Sequence, residues 1–337
     1  VFDLPQLYTK PSAVDLLDAL ELLCVELPSW DEESENPPGK KSQRPRVRSE
    51  GVTQYLTSII SSPLAWIRDE SEQERVWERA SLRLSERSGR TAMVAMTRTF
   101  RIQPLNHEIP QQNLDMIIHE PTLTADNLGW KTWASAFVLA RRIFYWHFQK
   151  SESPFTLSSG PILELGAGTG LVGFAASAIL GREVLLTDLP NIVPNLQRNS
   201  GLNKDLIESR GGEATVAVLD WTDPTKVFDY HEGRVPVQKS VDLFDTIVAT
   251  DSVYSTEHGM LLANTVTAWL SRKPEARVVV ELPMRVAYQK EITNFRDCFE
   301  RVGLKVVDEG KDVGRDDWGD DFEVEEVRCW WSVWTWA

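Results

Sequence analysis

An α/β protein with a mainly helical N-terminal region is the fold class that this chain predicts. Three observations carry it. From residue 160 onward, short apolar runs alternate with helix-length segments, the pattern of a parallel sheet covered by helices. The last two runs, 303–308 and 326–336, are separated by an acidic stretch and no helix. They are therefore expected to pair antiparallel. Upstream, apolar residues recur at helical spacing over 12–27, 51–61 and 69–88.

In the first helix, Ser12 is the expected N-cap and Leu16, Leu17, Leu20 and Leu23 form the apolar stripe. Residues 31–49 are acidic, then Pro-Pro-Gly, then basic (Lys40, Lys41, Arg44, Arg46, Arg48). That composition cannot bury a core and reads as a flexible, solvated linker. In the third helix Val76, Trp77, Ala80 and Leu84 share a face, and Gly89 is the expected stop. Residues 97–102 and 114–119 read as strands. The break near residue 120 separates an N-terminal recognition region, 1–119, from a second domain, 120–337. A helix is expected over 134–147. Strands follow at 161–165, 183–188, 214–220, 244–250, 276–282, 303–308 and 326–336. Trp330 and Trp334 fall on one side of the last strand and Trp331 on the other, so both faces should be covered.

Composition excludes several classes. The net charge of −14 disfavours nucleic-acid binding, which needs Lys and Arg to neutralise phosphates. Cys24, Cys298 and Cys329 are scattered, which fits neither a disulfide framework nor a metal site. No apolar run approaches the roughly 20 residues that span a bilayer. A monomeric cytoplasmic protein without metal is the expectation.

The segment 161–173 reads Pro-Ile-Leu-Glu-Leu-Gly-Ala-Gly-Thr-Gly-Leu-Val-Gly. It is a strand, a tight turn and a helix start. Gly166, Gly168 and Gly170 permit positive φ and close backbone approach. Two cofactors fit such a turn. A dinucleotide places its pyrophosphate on the helix N-terminus. S-adenosylmethionine has no phosphate and carries two cationic groups, which Glu164 at the strand end favours over a pyrophosphate. Asp188 ends the next strand, where a carboxylate can take ribose hydroxyls. Asp220 and Trp221 end the third, placed for an adenine amino group and ring. Asn195 and Asn199 either line the adenosine pocket or lie on a helix surface.

The segments Glu164–Gly170, Asp188, Asp220-Trp221 and Asp251-Ser-Val-Tyr254 resemble those of the seven-β-strand, S-adenosylmethionine-dependent protein-lysine methyltransferases. Gly129-Trp-Lys-Thr-Trp133 is similar to the segment in which that group's Trp borders the cofactor. Trp66-Ile-Arg-Asp-Glu and 84–92 are similar to the helical region of eukaryotic, especially fungal, elongation factor 2 lysine methyltransferases. The resemblance implies a Rossmann-like seven-stranded sheet in the order 3-2-1-4-5-7-6, with strand seven antiparallel. It implies S-adenosylmethionine as cofactor and translation elongation factor 2 as protein partner. Trp133, Leu189 and Thr250 join the cofactor-binding set, and Asp251 and Tyr254 become the catalytic pair.

Lysine methylation needs a neutral amine, aligned and shielded from water. A free lysine amine has a pKa of about 10.4, which desolvation and a nearby cation lower. Asp251 is placed to accept an N–H from the amine and orient it; Tyr254 offers its face or hydroxyl. The acidic stretch 312–326 would attract a basic protein surface. Glu281 and Arg285 flank Pro283 and either shape the rim or form an ion pair. A methyltransferase for another substrate class, and a non-catalytic S-adenosylmethionine-binding module, share the same core; methyl transfer to a lysate protein separates these readings.

Overall fold

The computed structural model describes residues 4–24, 51–87, 95–103, 113–122, 128–149, 160–230, 237–239, 242–316 and 325–337. The linker at 31–49, the stop at Gly89 and most of the acidic stretch lie outside the described residues. The chain divides into two compact units. The first holds α1 (Ala13–Leu22), α2 (Val52–Ser61) and α3 (Glu70–Ser85). All strands belong to the second, including a hairpin of β1 (Met96–Ile102) and β2 (Leu114–Glu120). The hairpin precedes the expected boundary at 120, yet its partners are elements of the second unit.

In the first unit Ser12 accepts from Asp15 N, and Asp15 accepts in return from Ser12 N, a reciprocal capping box that starts α1. Leu16, Leu20 and Leu23 pack against Leu56, Ile59, Val76 and Ala80, with Trp77 and Leu84 at the margin. Burial of these stripes, rather than helix propensity, stabilises helices this short.

The second unit is built on a nine-stranded sheet. β3 (Ile162–Leu165), β4 (Glu183–Asp188), β5 (Glu213–Val218), β8 (Thr246–Thr250) and β9 (Arg277–Pro283) run parallel. β11 (Glu325–Trp336) lies antiparallel between β9 and β10 (Leu304–Asp316). The order is β10-β11-β9-β8-β3-β4-β5-β6-β7. Its seven long strands follow the order 3-2-1-4-5-7-6. Two short strands, β6 (Val227–Asp229) and β7 (Val237–Lys239), were not expected; they extend the β5 edge antiparallel.

β10 is also longer than its expected span of 303–308. Asp312 and Asp316 stand in register opposite Cys329 and Glu325, so both ends of the supposed acidic loop are strand. The reason is a partner remote in sequence. Asp312 accepts from Arg142 Nε at 2.6 Å, and the Arg142 guanidinium lies 4.5 Å from the Trp331 ring centroid. Asp312 is thus an ion-paired packing residue rather than a substrate attractor.

Helices α4 (Ala134–Phe148), α5 (Leu171–Leu180), α6 (Val193–Ser209), α7 (His258–Trp269) and α8 (Gln289–Arg301) cover the sheet. Trp330 and Trp334 join the core formed with α7 and α8. Trp331 meets Trp146 of α4 edge-on at 5.4 Å. The last strand is covered on both faces, as its alternation requires.

One contact fixes the hairpin over the sheet. Asn195, Asn199 and Asn203 stand one turn apart on α6 and grip the backbone of β2. His119 N donates to Asn199 Oδ1 at 2.8 Å, and Ile117 N to Asn203 Oδ1 at 2.9 Å. Asn195 and Asn199 donate back to His119 O, and Asn203 to Ile117 O. Asn199 also donates to Thr169 O, in the Gly-rich turn, at 3.0 Å. These asparagines are buried. They neither line the adenosine pocket nor sit on the helix surface; they satisfy the peptide groups of an edge strand.

Asn199→Ala removes three buried hydrogen bonds and is expected to lower stability by about 2–4 kcal/mol. Asn199→Asp, which turns an acceptor toward two carbonyls, should cost at least as much. Urea denaturation measures both, and an unchanged midpoint would contradict this role.

Candidate active site

The site lies where parallel strands β3, β4 and β8 end, at the point from which neighbouring strands run outward in both directions. Gly166, Gly168 and Gly170 all take positive φ, at 69°, 57° and 89°. At Gly170 a Cβ would overlap the Phe174 ring and Leu196; at Gly166 it would lie 3.3 Å from the Trp221 ring. The glycines are dictated by conformation and by close approach. Asp188 closes the turn. Its Oδ2 accepts from Gly168 N at 2.7 Å and its Oδ1 from Leu189 N at 2.7 Å. Burial pushes the Asp188 carboxyl up to about 6, against those two bonds.

A second wall comes from the segment before α4. Glu120, buried at the end of β2, accepts from Thr132 N at 2.8 Å. The Thr132 hydroxyl meets that of Thr169 at 2.8 Å. The hairpin, the Gly129–Trp133 segment and the glycine turn therefore form one bonded unit. Trp133 stands at the N-cap of α4, with the Arg285 guanidinium 5.1 Å from its ring centroid.

Glu164 occupies a different position from the one expected. It is 1% exposed and lies beneath the turn, against Gly173. Burial pushes its carboxyl up to about 8, opposed by a hydrogen bond from the Gly173 backbone at the start of α5. Its Oε2 has no hydrogen-bond partner among the described residues. Glu164 is therefore a buried carboxyl beneath the turn whose charged form burial disfavours, rather than a group at the site's surface.

Asp251 follows β8 directly and is held on several sides. Its φ of +49° is left-handed, a strained conformation for a side chain other than glycine. Its N–H donates to Glu281 O at 3.0 Å, and Ser135 Oγ donates to its Oδ2 at 3.1 Å. Burial pushes its carboxyl up to about 6, while Arg285 and Ser135 pull the other way. Thr250, buried at the strand end, stands in register with Glu281. Glu281 is itself fully buried, with its carboxyl pushed far up by desolvation, so it forms no part of a rim. Arg285 acts instead on Asp251.

Tyr254 is 44% exposed. Burial of the remainder, and then the nearby Asp188 and Asp251 carboxylates, raise its hydroxyl pKa. Trp221 packs over Gly166 and meets His258 edge-on at 6.4 Å. Leu189 is exposed beside Asp188. Asp220 sits two residues beyond the end of β5, is exposed, and accepts through Oδ1 from Thr222 N and Oγ1. Gly166, Gly168, Gly170, Asp188, Trp221 and Tyr254 are thus brought together; Asp220 is turned to its own loop. Ser135, Glu120 and His258 were not anticipated from the sequence. A polar residue at the second position of an apolar helix was the only signal for Ser135.

The glycine cradle, a carboxylate at the second strand end and an orphaned buried carboxyl oxygen suit a nucleoside ligand with a cationic tail. Fold and site together define an S-adenosylmethionine-dependent methyltransferase. A sequence profile for lysine methyltransferases matches residues 110–299, and the chain belongs to that family. It is 30% identical over 332 residues to the protein-lysine N-methyltransferase rrg1 of Schizosaccharomyces pombe, covering 98% of this chain and 97% of that one. It is 32% identical over 329 residues to the protein-lysine N-methyltransferase EFM2 of Saccharomyces cerevisiae, covering 93% and 70%. The METTL21E protein-lysine methyltransferase of Mus musculus is 36% identical over 110 residues, covering 32% of this chain and 42% of that one.

Glu164→Gln tests the buried carboxyl. A folded-state pKa above the unfolded one confers stability that is lost as pH rises through the folded value. Between about pH 4.5 and 8, Glu164→Gln should therefore gain stability relative to wild type as pH rises. Urea midpoints of the two proteins at pH 5 and pH 8 measure this. Parallel shifts would contradict the burial argument.

Proposed function

We propose that this chain is a protein-lysine N-methyltransferase acting on translation elongation factor 2. Asp251 is the observation that carries the catalytic part. It is a carboxylate in strained backbone, beside the glycine turn, oriented by Ser135 and acted on by Arg285. When bound, S-adenosylmethionine supplies an electrophilic methyl group.

The protein's own residues bind, orient and desolvate. The glycine turn, Asp188, Leu189, Trp221 and Trp133 make the cofactor pocket, with Glu164 beneath it and Thr250 at its floor. Asp220 serves there through the carboxylate oxygen that its own loop does not engage. Asp251 accepts an N–H from the entering lysine amine and fixes its direction. Tyr254 flanks the amine with its face. A neutral amine is favoured by exclusion of water, and holding it in line lowers the barrier by positioning. No covalent intermediate on the protein is needed.

The elongation factor 2 assignment rests on the resemblance of the N-terminal helical region and on similarity over nearly the whole length to fungal protein-lysine methyltransferases. A cytoplasmic monomer suits that substrate. Among the described residues, no helix is long and apolar enough to cross a membrane. The acids Asp317, Asp320, Asp321 and Glu323, outside the described residues, complement a basic substrate surface.

Two measurements test this reading. Purified elongation factor 2 should gain methyl groups on one lysine with wild type and none with Asp251→Asn, while calorimetry finds S-adenosylmethionine binding retained by the variant. Asp251 accepts hydrogen bonds at both oxygens only when ionised, so wild-type turnover should rise with pH through about 6. Transfer by Asp251→Asn at the wild-type rate would refute the role.

A further inference from the structure

The segment from Asp251 to Ser255 has no regular secondary structure, yet it carries the two residues assigned to the amine. Something must hold Tyr254, which is nearly half exposed. His258, the first residue of α7, meets this segment at three points. Its ring lies edge-on to the Tyr254 ring at 4.3 Å between centroids, with an interplanar angle of 86°. Tyr254 N faces His258 Nδ1 at 3.5 Å. The backbone of Ser252 hydrogen-bonds the same ring. His258 also meets Trp221 at 6.4 Å between ring centroids, and Trp221 packs over Gly166.

We infer that His258 is a positioning residue that clasps the Asp251–Ser255 segment and sets the Tyr254 ring over the lysine entrance. The proposal rests on the assignment of Tyr254 to the amine. It goes further in naming what fixes that ring.

The chemistry suits the role. An imidazole without charge presents both an acceptor for a backbone N–H and a polarised edge for an aromatic face. Half-burial holds it in that form by lowering its pKa. The helix start keeps the ring itself in place. On its other side the segment is tied down separately, by Asn294 Nδ2 donating to Thr256 O at 2.8 Å. Loss of His258 should therefore free Tyr254 without unfolding the turn. Neither alanine, with no ring, nor glutamine, with an acceptor but no aromatic edge, replaces it fully.

The test compares wild type with His258→Ala, His258→Phe and His258→Gln. Expected for His258→Ala is a fall in kcat on the order of 10-fold to 100-fold, with KM for the protein substrate and the Kd for S-adenosylmethionine little changed. His258→Phe, which keeps the ring edge, should recover part of the loss. A second readout does not depend on activity. In NMR spectra of wild type, the His258 ring protons should carry a ring-current shift from Tyr254, and Tyr254→Leu should abolish that shift. Wild-type kcat in His258→Ala, or ring protons indifferent to Tyr254→Leu, overturns the proposal. If the ring-current shift is present but wild type methylates no lysine, the clasp stands and the functional assignment of Tyr254 falls.

Discussion

Asn199 is the interaction on which the site depends. One buried amide joins the edge strand of the N-terminal hairpin to the glycine turn, through His119 and Thr169. Its neighbours Asn195 and Asn203 extend the grip along the same strand. The hairpin in turn presents Glu120 to Thr132, and Thr132 meets Thr169 from the other side. The turn is therefore held at Thr169 by two independent elements. A left-handed glycine turn is floppy in the unfolded chain and entropically costly to order. Bonds from outside the turn offset that cost and leave the cradle formed before any ligand arrives.

The acids around the cradle divide by how each is compensated. Asp188 has two backbone N–H partners and Asp251 has Ser135 and Arg285, so burial raises each only to about 6. Glu164, with one oxygen unpartnered, is pushed to about 8. Burial thus raises the two partnered acids less than it raises Glu164. Asp188 and Asp251 are thus compensated acids beside the cradle, and Glu164 beneath them is one whose ionisation a cationic ligand would favour.

Much of this was legible in the sequence, because it is local. The glycines of the turn, the N-cap at Ser12, and the strand–helix alternation each depend on residues within a few positions. The terminal hairpin followed from the missing helix between the last two apolar runs. What escaped depends on partners far along the chain. Asp312 looked like part of a solvated acidic loop, but Arg142 turns it into strand. The asparagines of α6 looked like surface or pocket residues, but His119 and Ile117 bury them. The burial of Glu164 beneath the turn was not legible, since no sequence pattern reveals that Gly173 lets a helix close over it. Ser135 and His258 gave no distinctive signal, because their contacts with Asp251 and with Tyr254 are made only in three dimensions.

The central claim is transfer of a methyl group to one protein lysine. Labelled S-adenosylmethionine, added with this protein to a lysate that lacks it, tests that claim directly. One labelled protein is expected, elongation factor 2, with the label on a single lysine after digestion. Label in RNA or in small molecules, or no label in any protein while the cofactor still binds, would contradict it.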